Sequence, residues 1–268
     1  MGNWTAVLNA LSPFVLPTRI DRIRKQLSFR VVDTILVLDN LDKEMNIHAC
    51  LRTAEALGLQ YVYVLSSSSN KLLDTRSVSK GAQKWLSLRY FTDTNECISL
   101  LRRDKYLIAA SDIGSISVDV ETAAARTLSM LRNGNESDCF RQRVAVVMGN
   151  EMRGCSPSIL NAADTLFFIP QAGFSQSLNV SVATAISLNC FLNRTKDYAQ
   201  LSLHAHKTRV STGNTTPVYT RSDSLSPPFV EPLCDAAIDE VLARVLLSNV
   251  PAASAILKRA GVSELELK

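Results

Sequence analysis

The sequence is poor in the residues that build metal sites and disulfide frameworks. Three histidines and six cysteines are spread over 268 residues, and Cys50, Cys97, Cys139, Cys155, Cys190 and Cys234 include no CxxC pair. Zinc needs clustered thiolate or imidazole ligands, so this spacing argues against a metal site and for reduced thiols, several of them within apolar runs. Long apolar runs are missing as well. The longest candidate, Val180 to Leu192, is interrupted by Ser181, Thr184, Ser187 and Asn189, whereas a membrane span needs roughly 18 apolar residues in succession. No membrane role is expected. The stretch before Arg19 lacks acidic residues but is poor in arginine, so it does not read as a transit peptide. Ala6 stands where a myristoylation signal wants Ser or Thr. These absences favour a cytoplasmic protein, with a mitochondrial one as the alternative.

What is present suits one ordinary core with terminal additions: 46% of the residues are hydrophobic and 20% charged. The net charge of +4 says little by itself, but residues 1–31 carry Arg19, Arg22, Arg24, Lys25 and Arg30 against Asp21 alone. Such a stripe fits phosphate contact, and it equally fits a solvated helix face. Ile20, Ile23 and Leu27 fall at helical spacing among these cations, which predicts a short amphipathic helix.

Short β-branched runs then recur at Thr34 to Leu38, Tyr61 to Leu65, Leu86 to Phe91, Leu107 to Ala110, Val144 to Met148 and Leu166 to Ile169. They read as buried strands. Between them lie helical patterns, clearest from Asn46 to Leu57, where Gly58 closes the end. The alternation predicts an α/β domain with a mostly parallel sheet and helices on both faces. Residues 1–30 are read as an N-terminal segment with a basic helix, 31–200 as the main domain, 201–232 as a Ser/Thr/Pro-rich flexible linker, and 233–268 as a helical tail. Arg126 to Arg143 reads as a polar insertion.

Three stretches carry chemistry. In the first, Asn46 stands at the start of a helix, where its side chain can cap the backbone, and Arg52 follows about 9 Å along the axis. Taken alone, a cap and a surface arginine suffice. In the second, the strand ending at Met148 runs into Gly149-Asn-Glu-Met-Arg-Gly154, a glycine-bracketed loop that can bring backbone amides to a ligand. Cys155 stands where a Walker loop needs lysine, which disfavours ATP. In the third, Ile169-Pro-Gln-Ala-Gly173 leads to Ser177-Leu-Asn179 and a helix that begins near Ser177 and is apolar nearly all round. Either the core or a second subunit must cover that helix, and the side that carries Ile186, Leu188 and Phe191 is expected to form the centre of a homodimer interface. Leaving Ile186, Leu188 or Phe191 in water would forfeit roughly 1.5 to 3 kcal/mol each.

These three stretches, in this order, resemble the three motifs of the SpoU family of RNA 2′-O-ribose methyltransferases. The similarity covers about Arg19 to Tyr198. Gln176-Ser177-Leu178-Asn179, Lys84-Trp85 ahead of a strand, and the basic helix resemble the branch that acts on guanosine 18 of tRNA. The resemblance implies a C-terminal trefoil knot, a homodimer, and S-adenosylmethionine held by Ser111, Gly149, Ile169, Gln171, Ser177 and Leu178. It implies Arg52 as the catalytic residue, with Asn46, Glu151, Ser177 and Asn179 around it, and tRNA contact through Arg19, Arg22, Arg24 and Lys84. His48, on the same helix as Arg52, is a further candidate. Ribosomal RNA as substrate, or a catalytically silent RNA-binding relative, are the competing readings.

Overall fold

The computed structural model describes residues 4–66, 81–132, 143–194 and 233–262. The chain forms two compact units, one of residues 31–231 and one that joins residues 1–30 to residues 232–268.

In the first unit seven parallel strands form one sheet. In chain order they are β1 (Thr34–Asp39), β2 (Tyr61–Leu65), β3 (Ser87–Phe91), β4 (Leu107–Ser111), β5 (Val118–Asp119), β6 (Val144–Met148) and β7 (Thr165–Phe168). Their order across the sheet is β3-β2-β1-β6-β4-β7-β5. Every residue of β1 and of β6 is buried, as a parallel sheet covered on both faces requires. The two-residue side-chain period divides them. Leu36 and Leu38 join the core under α3 (Glu44–Ala56), α5 (Val120–Arg132) and α7 (Val180–Leu192). Ile35 and Val37 point to the other face, under α4 (Thr94–Arg103) and α6 (Pro157–Ala162).

The six strands expected from sequence are all present, with ends shifted by no more than a residue. The expected polar insertion is corrected in part: residues 126–132 complete the helix α5, and the remainder to residue 142 lies outside the described residues. The expected linker, residues 201–232, lies outside them too. α7 begins at Val180, after Asn179 whose side chain accepts from the Ser181 amide at 2.9 Å, rather than near Ser177. One expectation about α7 is overturned. Leu188 and Phe191 are fully buried within their own chain, against the sheet and α3, so neither side chain is available to a second subunit. The outward side of α7 is marked instead by Val182, which is 47% exposed, and the half-buried Ile186.

The second unit is helical. The apolar start of the chain forms α1 (Trp4–Leu11), and Pro17, preset for a first helical turn, opens α2 (Pro17–Leu27). From the other end of the chain come α8 (Asp235–Asn249) and α9 (Ala253–Arg259). Val7, Leu8 and Leu11 of α1 are buried with Ile23 and Leu27 of α2 and Val241, Leu242 and Val245 of α8. The tail predicted from sequence therefore docks on the first helix. No single helix among the described residues is long and apolar enough to cross a membrane.

Candidate active site

Strand order fixes where a site can form. From β1 the chain moves outward to β2 and β3, whereas β6, its other neighbour, leads outward to β7 on the far side of β4. Loops that leave adjacent strands in opposite directions open a crevice at the carboxyl ends, the usual ligand position in such sheets. Leu38 of β1 is paired with Met148 of β6, so the loops after them start side by side.

The loop after β6 is built around a close approach. A Cβ on Gly149 would collide with the backbone of Gly154 and the Cys155 nitrogen, so no larger residue fits. Asn150 and Gly154 exchange two backbone hydrogen bonds of 2.9 Å, which closes a tight turn with Glu151 at its tip. The Glu151 carboxylate accepts from the Asn46 carboxamide, and Asn46 Oδ1 accepts from Asn179 Nδ2 at 3.2 Å. One residue from each of the three sequence stretches thus meets in a single hydrogen-bonded line. This corrects the expected role of Asn46. It is the third residue of α3, not its cap, and it is buried in contact with Glu151.

Arg52 is not part of that line. Six residues beyond Asn46, it projects about 120° away around the helix. It is exposed, and among the described residues it makes no hydrogen bond or ion pair. It shares its face of α3 with Glu44 and His48 at four-residue spacing. His48 Nε2 lies 3.1 Å from Glu44 Oε1 and its Nδ1 3.4 Å from Gln83, so these partners leave it outside the Glu151 line.

The residues expected around a cofactor fall into two groups. Ser111, the last residue of β4, accepts from the Gly149 amide at 3.3 Å and lies 3.7 Å from the Cys155 sulfur, so Ser111 and Gly149 are brought together. Ile169, Gln171, Ser177 and Leu178 lie on the loop after β7, which starts beside β4 because Ser111 pairs with Phe167. Gln171 and Ser177 are exposed and have no hydrogen-bond partner among the described residues, so Ser177 is not bonded to Glu151 or Asn46. Between Gln171 and Leu178 the backbone amides find no partner among the described residues. The same loop exposes the apolar side chain of Phe174, and the segment after β4 exposes Ile113 and Ile116. Unpaired amides next to apolar surface suit an adenosine-containing ligand, whose base needs both.

Four polar residues of the site escaped the sequence reading: Asp39, Asn40, Asp42 and Asn150. Asp39 is fully buried and accepts from the Ser156 amide at 2.6 Å. Asn150 Nδ2 donates to the Asn40 carbonyl at 2.8 Å and to Asp42 at 2.9 Å. The available signal was a cluster of polar residues directly after an all-apolar strand. Three thiols are disfavoured as nucleophiles at neutral pH, since burial pushes Cys50 up to about 11 and Cys97 and Cys155 up to about 12.

Of the residues expected to touch RNA, Arg19 and Arg22 are exposed on α2 and Lys84 is exposed on the turn before β3. Arg24 differs. It forms a 2.5 Å ion pair with Asp239 of α8, so it is committed within its own unit.

Residues 33–189 match the sequence profile described as the SpoU rRNA Methylase family. The chain is 30% identical over 187 residues to the tRNA (guanosine(18)-2′-O)-methyltransferase of Borreliella burgdorferi, covering 70% of this chain and 78% of the relative. To the enzyme of the same description from Aquifex aeolicus it is 33% identical over 174 residues, 65% of this chain and 75% of the relative. Its fold resembles the crystal structure of the A. aeolicus TrmH/SpoU tRNA modifying enzyme, with a TM-score of 0.63 and 24% identity over 87% of this chain and 97% of that one.

Proposed function

The chain belongs to the SpoU family, S-adenosylmethionine-dependent RNA 2′-O-ribose methyltransferases, and on that premise we propose that it methylates guanosine 18 of tRNA. The observation that supports an active enzyme is the line Glu151–Asn46–Asn179, in which each of the three motifs supplies a side chain. A catalytically silent relative would have no need to keep it.

When bound, S-adenosylmethionine supplies an electrophilic methyl group on its sulfonium. Ser111, Gly149, Ile169, Gln171, Ser177 and Leu178 would hold it, chiefly through the backbone groups that the loops leave unpaired. The protein must place the ribose 2′-oxygen in line with that methyl and stabilise the charge that grows as the hydroxyl proton leaves. Arg52 does the second. A free guanidinium stays charged at any ordinary pH, so it serves as an electrostatic partner for the developing alkoxide rather than as the base. Asn46 fixes one carboxylate oxygen of Glu151, and Glu151 Oε2 has no partner among the described residues, which leaves it to accept from a ribose hydroxyl. Asn179, locked by Ser181 on one side, sets which way the Asn46 carboxamide faces. The trefoil knot that the resemblance implies belongs to the same proposal, as do the domain limits 31–200 and a cytoplasmic location.

A homodimer completes the reading. Val182 is 47% exposed and Phe174, Met152 and Ile113 are more so, all at the carboxyl end of the sheet. A second copy related by a two-fold axis would cover this surface and the outward side of α7. Ile186→Glu is expected to shift sedimentation to the monomer and to abolish activity. A dimer that persists with full activity would place the interface elsewhere.

The substrate test is a methylation assay on a tRNA transcript, with the product mapped by nuclease resistance. Guanosine 18 is expected to acquire the methyl group, and a transcript with 2′-deoxyguanosine there is expected to accept none. Methylation confined to ribosomal RNA would overturn the tRNA reading and keep the reaction class.

A further inference from the structure

We infer that Asp42, a residue outside the three motifs, positions Glu151 for the reaction; this inference rests on the catalytic reading of Glu151 above. Asp42 lies in the loop between β1 and α3, four residues before Asn46. One of its oxygens accepts from Asn150 Nδ2 at 2.9 Å and the other from Arg153 NH2 at 3.0 Å. Asn150 uses its remaining capacity on the same loops. It donates to the Asn40 carbonyl at 2.8 Å and accepts from the amides of Met152 and Arg153 at 2.9 and 3.2 Å.

Glu151 stands between the residues so held. The paired backbone of Asn150 and Gly154 makes its turn rigid in itself but does not aim the turn at anything. Aim comes from Asp42 and the Asn40 carbonyl, the contacts that tie the turn to the segment leading into α3. That helix carries Asn46, the donor to Glu151. The Asp42 carboxylate, together with the Asn40 carbonyl, therefore sets the partners of the Asn46–Glu151 hydrogen bond relative to each other. Asp42 is a positioning residue: it reaches the reaction only through Glu151.

The Arg153 pairing is secondary. Its side chain is 69% exposed and that of Asp42 46%, and ion pairs in that setting contribute little. The bond to Asn150 carries the geometry. Of these two contacts, Asp42→Asn keeps the oxygen for Asn150 and loses the ion pair, whereas Asp42→Ala loses both.

Two readouts test this. In hydrogen exchange followed by mass spectrometry, with no substrate present, Asp42→Ala should speed exchange across residues 150–154 and Asp42→Asn should leave it near wild type. In the methylation assay, Asp42→Ala should lower kcat about tenfold to a hundredfold, the scale of a misplaced catalytic group, with KM for cofactor and for tRNA little changed. Asp42→Asn should recover most of that kcat. In a Glu151→Gln background Asp42→Ala should add almost nothing. If Asp42→Ala does not fold, Asp42→Glu shifts the same oxygens without leaving a hole and is read in the same way. Unchanged exchange at 150–154, or a full further loss in the Glu151→Gln background, would overturn the inference. Exchange needs no turnover, so a chain that proved inactive on tRNA would refute the proposed substrate while leaving this test intact.

Discussion

The two loops that frame the crevice are opposites. The turn after β6 is tied at its exit to Asp39 and through Asn150 to Asn40 and Asp42, so nearly every polar group along it has a partner in the chain. Among the described residues, the loop after β7 makes no backbone hydrogen bond from Gln171 until Asn179 caps α7. The first can hold an acceptor group in a fixed place before any ligand arrives. The second offers its amides to whatever binds. Within one site, catalytic geometry is preset on one side, and on the other the bonds are left for the cofactor to make.

The largest effect should come from Arg52, the uncommitted cation. Arg52→Ala is expected to cut turnover by about 10²–10³-fold, as removal of a charge-stabilising donor does, while cofactor affinity by calorimetry stays within a few fold. Equal loss of both would mean that the acceptor and cofactor sides are not separate. A smaller effect sharpens the same contrast. Saturating S-adenosylmethionine should slow hydrogen exchange across 171–178 severalfold and leave 150–154 unaltered. Protection of the turn after β6 instead would reverse the assignment of the two loops. The smallest effect extends the comparison to the helical unit, where Arg19 and Arg22 are exposed and Arg24 is paired to Asp239. Arg19→Ala with Arg22→Ala should reduce the logarithmic salt slope of tRNA binding by about 1.8, at about 0.9 for each phosphate contact. Arg24→Ala should leave the slope unchanged.

The committed half of this site was the harder to read in the sequence. The strands announced themselves by unbroken β-branched runs, and α3 by the period of Ile47, Cys50, Leu51 and Ala54, all now buried. Arg52, Glu151 and Asn179 were singled out because the motifs name them. Asp42 was not, since its bonds to Asn150 and Arg153 span 108 and 111 residues and no local pattern reports such distances. α7 shows a different limit. With apolar residues on every side, its sequence could not say which side faced the sheet, and Leu188 was assigned to the wrong one. Asn46 was misread for a related reason. An amide near a helix start looks like a cap until a carboxylate from over a hundred residues away is seen to take its hydrogen.

Sheet order also has a kinetic consequence. β6, which joins β1 to β4, enters the chain only at Val144, after five of the other strands have been made. Until then the β1–β2–β3 group and β4 have no strand to unite them, and the inner edges of β1 and β4 stand open. A nascent or truncated chain that stops before Val144 therefore exposes unpaired apolar edges on β1 and β4, the kind that captures edges from other chains. Completing the sheet requires contacts distant in sequence, such as Thr34 with Val144, and topologies dominated by such contacts fold slowly. The strand that sets the loops after β1 and β6 side by side is thus also the one on which productive folding and aggregation part.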